Sequence, residues 1–532
     1  MDLSIQELEW GQSKMKPNEI KLSKEKFVFA SSEGRLHDKE LVTKPVSYFK
    51  DAWNRFKRNK ASIVGAIVIG ILVLYALIAP IFSPYTVSYN DANYRYTAPK
   101  IFENIDFLDG CRNKDVNEQT FSYYYAMGVE TGHNAVKNQE FEKYTTTDSY
   151  GRKVTMYKFR LDTYHDSGVV FKTVTPSEYE SIQKYQDEKQ IQVIYPITMK
   201  SQRPTAPQDE TNANYWYKTT TSGGKTIAAG EKNEDGTYQY ENIYQTYTGK
   251  DNYTSSMRIE GDTPEYDYAI SVQGGNYEIR IDYYEYYRYY HSYVLKDGIS
   301  EPFFIFGTTS YGQDIFTCLA SGARFSFFLA ITVASVNLFV GAIYGAIEGY
   351  YGGKIDNLME RYVEIISAVP IMNVVTLLKY HMMKSSQVLI LFISFFLTGW
   401  IGMAAKTRMQ FYRFKNQEYV LAARTLGAKD PRIMFKHIFP NSLGTLITSS
   451  VLVIPGMIFS ETSLSYLGII NLSSGNITSV GTLLANGQPY LVTYPHIILF
   501  PSIFICLLML SFNLFGNGLR DAFNPSLRGT ED

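Results

Sequence analysis

Acidic side chains at Asp356, Glu360 and Glu364 fall on one helical face, spaced i, i+4 and i+8. Paired carboxylates of this kind can divide general-acid and general-base work when their surroundings push their pKa values apart. Arg361 and Lys354 stand close in sequence, so the three acids are expected to pair with them or with neighbouring subunits instead. Gly223-Gly224-Lys225-Thr226 looks like the end of a phosphate-cradling loop. That loop needs a glycine five residues before Gly224; Thr219 stands there, and a β-turn is the expectation. The 7 histidines are scattered and the 3 cysteines lie in different regions, so no metal-ligand spacing occurs. No catalytic residue, metal or cofactor is expected on this chain.

What remains is a set of polar groups in apolar surroundings. Glu364 lies about one turn inside an apolar stretch, and Pro370 removes a backbone hydrogen bond further in. Ionisable groups in such stretches are functional candidates. Glu364, Pro370, Asn337, Asn373 and Glu461 are therefore the candidates for a polar path or gate. A single Asn in a span serves equally well as glue between helices.

The elements that hold these groups are masked by the average composition. A mean hydropathy of -0.17, a net charge of -1 and 19% charged residues suit a soluble protein. The apolar residues are segregated, however, into windows near the ~20 residues that cross a bilayer. Ala61 to Ser83 carries no charge, and Phe325 to Ile347 holds only Thr332, Ser335 and Asn337 as polar side chains. Tyr362 to Leu378 is weaker because of Glu364 and Pro370; Gln387 to Ala405, Leu443 to Phe459 and Pro495 to Phe515 complete six predicted spans.

Basic residues near span ends set the orientation. Lys50, Arg55, Lys57, Arg58 and Lys60 precede the first span, Lys354 and Arg361 follow the second, and eight Lys and Arg from Lys406 to Lys436 separate the fourth and fifth. Glu461 to Tyr494 has none, and Arg520 and Arg528 follow the sixth. Both termini are expected in the cytoplasm, the C-terminal tail being 521–532, with residues 84–305 outside.

That external block holds about thirty of the 44 tyrosines. Lys153 to Thr163, Gln190 to Lys200 and Tyr277 to Tyr290 read as strands, with turns at Gly223-Gly224, Gly274-Gly275 and Asp251-Asn252. A folded, strand-rich α+β domain is expected, its tyrosines supplying rigid contact area for a partner. Its only cysteine is Cys111, so no disulfide can form within it, which suits a Gram-positive surface. Before the first span, Met1 to Leu41 is polar and expected to be mobile. Phe49, Trp53 and Phe56 then form one helical stripe opposite Lys50, Arg55 and Lys57, as in a helix lying on the inner membrane face.

Between spans four and five lies Glu418-Tyr419-Val420-Leu421-Ala422-Ala423-Arg424-Thr425-Leu426-Gly427-Ala428-Lys429-Asp430-Pro431, which reads as two short helices joined at a glycine. Ala422 and Ala423 would let another protein approach closely. Gly427 suits a left-handed helix end, and Asp430 followed by Pro431 suits a helix start with the acid as N-cap.

This stretch, with His437-Ile438-Phe439-Pro440-Asn441, resembles the EAA loop of permease subunits in ATP-binding-cassette importers. The nearest pattern is the C-type subunit of oligopeptide and dipeptide importers. Leu421 here replaces the family glutamate, and Phe439 replaces a leucine. The resemblance extends to Ala52–Lys60, Gly307–Asp314, Gly322–Ser326, Gly349–Asp356, Glu461–Gly468 and Gly516–Asp521. It covers roughly residues 46–83 and 306–528, leaving the insert without a counterpart.

The resemblance implies a six-helix, type I importer-like permease working by alternating access. Glu418, Tyr419, Ala422, Ala423, Arg424, Gly427, Ala428, Asp430 and Pro431 would couple it to the motor. It also implies a second homologous permease, two cytoplasmic ATPases holding ATP and Mg, and an extracellular peptide-binding protein. No nucleic acid is implied. An importer of nickel or oligosaccharide, and an anchored adhesin or sensor, are the alternative readings.

Overall fold

The computed structural model describes residues 48–117, 131–195, 274–472 and 478–523, with isolated residues between 120 and 130 and short pieces at 218–219, 225–226 and 269–272. The N-terminal tail, Gly223-Gly224, Asp251-Asn252 and Arg528 lie outside the described residues.

Among the described residues five helices are long and apolar enough to cross a membrane: Lys60–Phe82, Ile315–Tyr351, Gln387–Phe414, Asp430–Tyr466 and His496–Phe523. A sixth crossing is counted only if Gly353–Ser367 and Ile371–His381, bent by 71°, form one broken span. The weak third span expected over Tyr362–Leu378 is a helix, a break and a helix. Pro370 is the cause: it starts the second half with its own backbone extended at ψ 138°.

Local chemistry sets the boundaries. The Asn59 side chain accepts from the Ser62 N–H at 3.2 Å, capping the first span. Asp314 does the same for the second, accepting from the Thr317 N–H at 2.9 Å. The second span is seated on the fourth through small residues: a Cβ on Gly345 would lie 2.1 Å from the Ala404 carbonyl, and one on Gly349 2.7 Å from the Arg408 carbonyl. Only glycine allows that approach of two helix backbones. Leu72, Leu319, Phe327, Ile458, Phe504 and Phe512 build one apolar core among the first, second, fifth and last spans.

The interfacial stripe is corrected in part. Phe56 is buried against Phe515, ring centroids 5.4 Å apart, and near Ala522, while Trp53 stays exposed. The helix Tyr48–Arg58 thus turns Phe56 onto the last span instead of leaving all its rings for lipid.

Between the first two spans the insert contains two antiparallel sheets and a short strand pair. The first has the order β1(Cys111–Asn117)-β3(Lys153–Asp162)-β2(Val136–Thr147). The second has β4(Val169–Val174)-β9(Asn276–Asp282)-β5(Ile194–Tyr195), with β8(Ala269–Val272) also on β9; β6(Lys218–Thr219) pairs with β7(Lys225–Thr226). Gly274 and Gly275, at φ +90° and +75°, make the expected turn between β8 and β9.

The strand expected across Tyr277–Tyr290 ends at Asp282. Its carboxylate accepts from the Tyr284 N–H at 3.2 Å and starts the helix Tyr283–Tyr289. Many tyrosines lie inside the insert. Tyr179, Tyr185, Tyr286 and Tyr289 pack with Ile182, Ile279 and Ile281, and Tyr85, Tyr94, Tyr164 and Tyr287 pack around Phe304. Some of their hydroxyls are partnered: Tyr286 donates to Glu178 at 2.7 Å and Tyr287 to the Tyr85 oxygen at 3.3 Å. These eight rings build a core in a domain that has a single cysteine and are not themselves available as contact surface.

Candidate functional site

The hairpin helix Glu418–Thr425 is anchored on one side and free on the other. Val420 points inward, into a core with Ala346, Tyr350, Phe411, Ile433 and Ile438, and Ala423 is also buried. Glu418, Tyr419, Leu421, Ala422, Arg424 and Leu426 are exposed, Leu426 at 88%. Only one of the two alanines therefore offers a small outward surface. The expectation that both face a partner is corrected for Ala423, because a helix turns 100° between neighbours.

Gly427 takes φ +80°, and the following Ala428 N–H returns to the Ala423 carbonyl at 3.1 Å. Lys429, not Asp430, occupies the N-cap position of the next short helix, which has Pro431 in its first turn. The Asp430 carboxylate is used elsewhere: it accepts from the Tyr350 hydroxyl at 2.7 Å. Arg424 lies over the same ring, 5.9 Å from its centroid. The Tyr419 hydroxyl accepts from the Asn441 amide at 3.2 Å, and partial burial raises the Tyr419 pKa. The hairpin is thus tied to the last turn of the second span. That span is 37 residues long, and its other end begins where the insert stops.

A cluster absent from the predicted set lies just above. Arg408 Nε meets Asp356 at 2.7 Å, its Nη1 meets Glu360 at 2.7 Å, and Glu348 lies 3.6 Å away. Tyr412 also donates to Asp356, and Lys415 donates to the Gly349 carbonyl at 2.9 Å. One guanidinium fork therefore joins the second span, the fourth span and the first half of the broken pair. The expected partner Arg361 takes only Glu364. The glycines at 341, 345 and 349 are the sequence signal that could have placed Arg408 beside Glu348.

The candidates for a path or gate separate into two groups. Glu364, Pro370 and Asn373 are exposed on the broken pair. Asn337 is buried against Gly399, and Glu461 is fully buried. The Glu461 carboxylate accepts from Ser326 at 2.9 Å and Ser465 at 3.0 Å, binding the second span to the fifth. In this conformation it fastens one helix to another. Among the described residues no group of His, Cys, Asp and Glu could hold a metal ion.

A bundle of membrane-length helices with a hairpin packed against it defines an integral membrane protein. The family model for the binding-protein-dependent transport system inner membrane component matches residues 337–529, and that for the N-terminal TM domain of oligopeptide transport permease C matches residues 47–99. Over 223 residues the chain is 44% identical to the oligopeptide transport system permease protein OppC of Bacillus subtilis (strain 168), covering 42% of this chain and 72% of that one. It is 39% identical over 224 residues to the dipeptide transport system permease protein DppC of the same organism, covering 42% and 69%. A solved structure of the MetNI methionine ABC transporter aligns with 39% of this chain and 96% of that chain at 14% identity and TM-score 0.32. The chain belongs to the family of binding-protein-dependent transport permeases. It is an integral membrane transport subunit and not an enzyme. Residues 100–336, which hold most of the insert, fall outside both matched segments.

Proposed function

We propose that this chain is the C-type permease subunit of an ATP-driven peptide importer, with the hairpin and both termini cytoplasmic and the insert extracellular. One observation carries the reading. The hairpin buries Val420 and Ala423 in the permease core while presenting Leu421, Ala422 and Leu426 outward. An anchor for a surface adhesin would need no such element. The names of the curated relatives favour peptides over nickel or oligosaccharide.

Two cytoplasmic ATPases holding ATP and Mg would close around this outer face. Force then passes through the Tyr350–Asp430 bond to the second span, and through Arg408 to the broken pair that carries Glu364, Pro370 and Asn373. The family glutamate is absent, so Leu421 offers the motor an apolar contact at a position where a polar one is usual. A second homologous permease faces the broken pair, and an extracellular binding protein delivers peptide to the insert. A Gram-positive-type envelope fits an exported domain that holds one cysteine.

The test is purification from native membranes, identification of the co-purifying chains, and uptake of labelled peptides by the reconstituted complex. An ATPase, a second permease and peptide uptake are expected. Labelling of a cysteine placed at Leu426 from the outside of intact cells would end this reading.

A further inference from the structure

Two bulky residues at the root of the insert hold a backbone conformation that ordinary side chains avoid. Tyr96 has φ +62° and Phe107 has φ +80°. Such strain persists only where the surroundings hold it in place. Both rings are spent on one target, the segment that leads into the last span. The Tyr96 ring stacks on Tyr494 at 4.2 Å and lies 5.0 Å from Tyr490, and Phe107 stacks on Phe500 at 6.5 Å. Phe306 adds a second ring on Phe500 at 4.2 Å. Arg112, on β1, covers Tyr494 at 5.0 Å, and His496 meets the Thr308 carbonyl at 3.3 Å. A cavity of about 420 Å³ opens beside these rings, so the contact rests on the rings and not on continuous packing.

We propose that Tyr96 and Phe107 are positioning residues that couple the insert to the first turns of the last span, so that a binding protein seated on the insert moves that span. This rests on the importer reading above. Phe107 and Arg112 lie outside both matched segments, while Tyr96, Tyr494 and Phe500 lie inside them, so the seam joins family-like segments to the insert.

The test uses the assembled complex in nanodiscs, with basal ATPase turnover and its stimulation by the peptide-loaded binding protein measured together. Tyr96→Ala with Phe107→Ala is expected to cut the stimulation about tenfold while leaving basal turnover unchanged, and Tyr96→Phe is expected to keep it. Full stimulation in the alanine variant, or a parallel fall of both rates, overturns the proposal. A second variant guards against loss of the complex. Tyr96→Cys with Tyr494→Cys, in a Cys506→Ser background, should lose stimulation and regain it when a short bis-maleimide ties the two thiols. Stimulation that stays low after cross-linking also overturns it. A wild-type complex with no stimulation at all defeats the importer reading, and this proposal with it.

Discussion

Arg408 and Asp356 are 52 positions apart in sequence and 2.7 Å apart in space. Their contact fastens the first half of the broken helix pair to the fourth span. Glu360 shares the same guanidinium, and Glu348 lies next to it. Removing the cation leaves three acids facing one another with little water. Arg408→Gln is expected to cost about 3 kcal/mol, read as a lower thermal midpoint in detergent. Arg408→Lys should recover only part of it, because a single ammonium cannot reproduce the fork. Arg408→Gln combined with Asp356→Asn should be less damaging than the sum of the two.

Ala422 and Ala423 should separate docking from folding. Ala422→Arg adds a bulky charge to an exposed face, so stability changes by no more than about 0.5 kcal/mol while ATPase capture falls. Ala423→Arg forces the same charge into a buried position and should lower the yield of folded chain. Pull-down stoichiometry set beside thermal midpoint checks both. Normal ATPase capture by Ala422→Arg would remove the docking assignment.

At Gly345 even one methyl group is excessive. The added Cβ of Gly345→Ala would lie 2.1 Å from the Ala404 carbonyl, so the second and fourth spans must part. A loss of about 1–3 kcal/mol is expected. Gly70, which has open space, should accept alanine freely in the same thermal assay.

Glu461→Ala removes the acceptor that two buried serine hydroxyls share. A loss of about 2 kcal/mol is expected, with Glu461→Gln retaining most of the stability. Equal midpoints for the two variants would show that the carboxylate fastens nothing.

The insert should respond to pH through two stacked imidazoles. The rings of His133 and His165 lie 4.9 Å apart. Burial, then the charges of His133 and Lys100, depress the His165 pKa to about 3. Its unfolded form takes up a proton near pH 6.5, so its share of stability is present above that value and drains away as pH falls toward 3. Burial pulls His133 down, but the hydrogen bond and charge of Asp282, with the charge of Glu285, outweigh it and the net shift is up. The His133 share is complete below about pH 6.5 and is lost as pH rises through its raised value. Amide protection factors, taken relative to intrinsic exchange at each pH, should fall across residues 162–170 of the full chain toward pH 4, and His165→Asn should flatten that dependence.

Several features were open to reading from the chain alone. Apolar segments near membrane length, a glycine before Lys429-Asp430-Pro431 and family-like blocks in order are local patterns, each set by neighbours along the sequence. So was the break at Pro370 in principle, since proline acts on its own backbone. Its outcome, two helices bent by 71°, was not, because the angle depends on what each half packs against.

The tertiary structure decided which side of each element is spoken for. It turned Ala423 inward and Ala422 outward, buried Glu461 between serines, filled the insert with its tyrosines and brought Arg408 to Asp356. Periodicity places a residue on a face, but only contacts between distant segments determine which face meets protein and which stays bare. The same holds for Tyr96 on Tyr494, where nearly 400 positions of chain close on a single ring contact. No local propensity encodes such a pairing; it exists because the folded insert and the last span meet there.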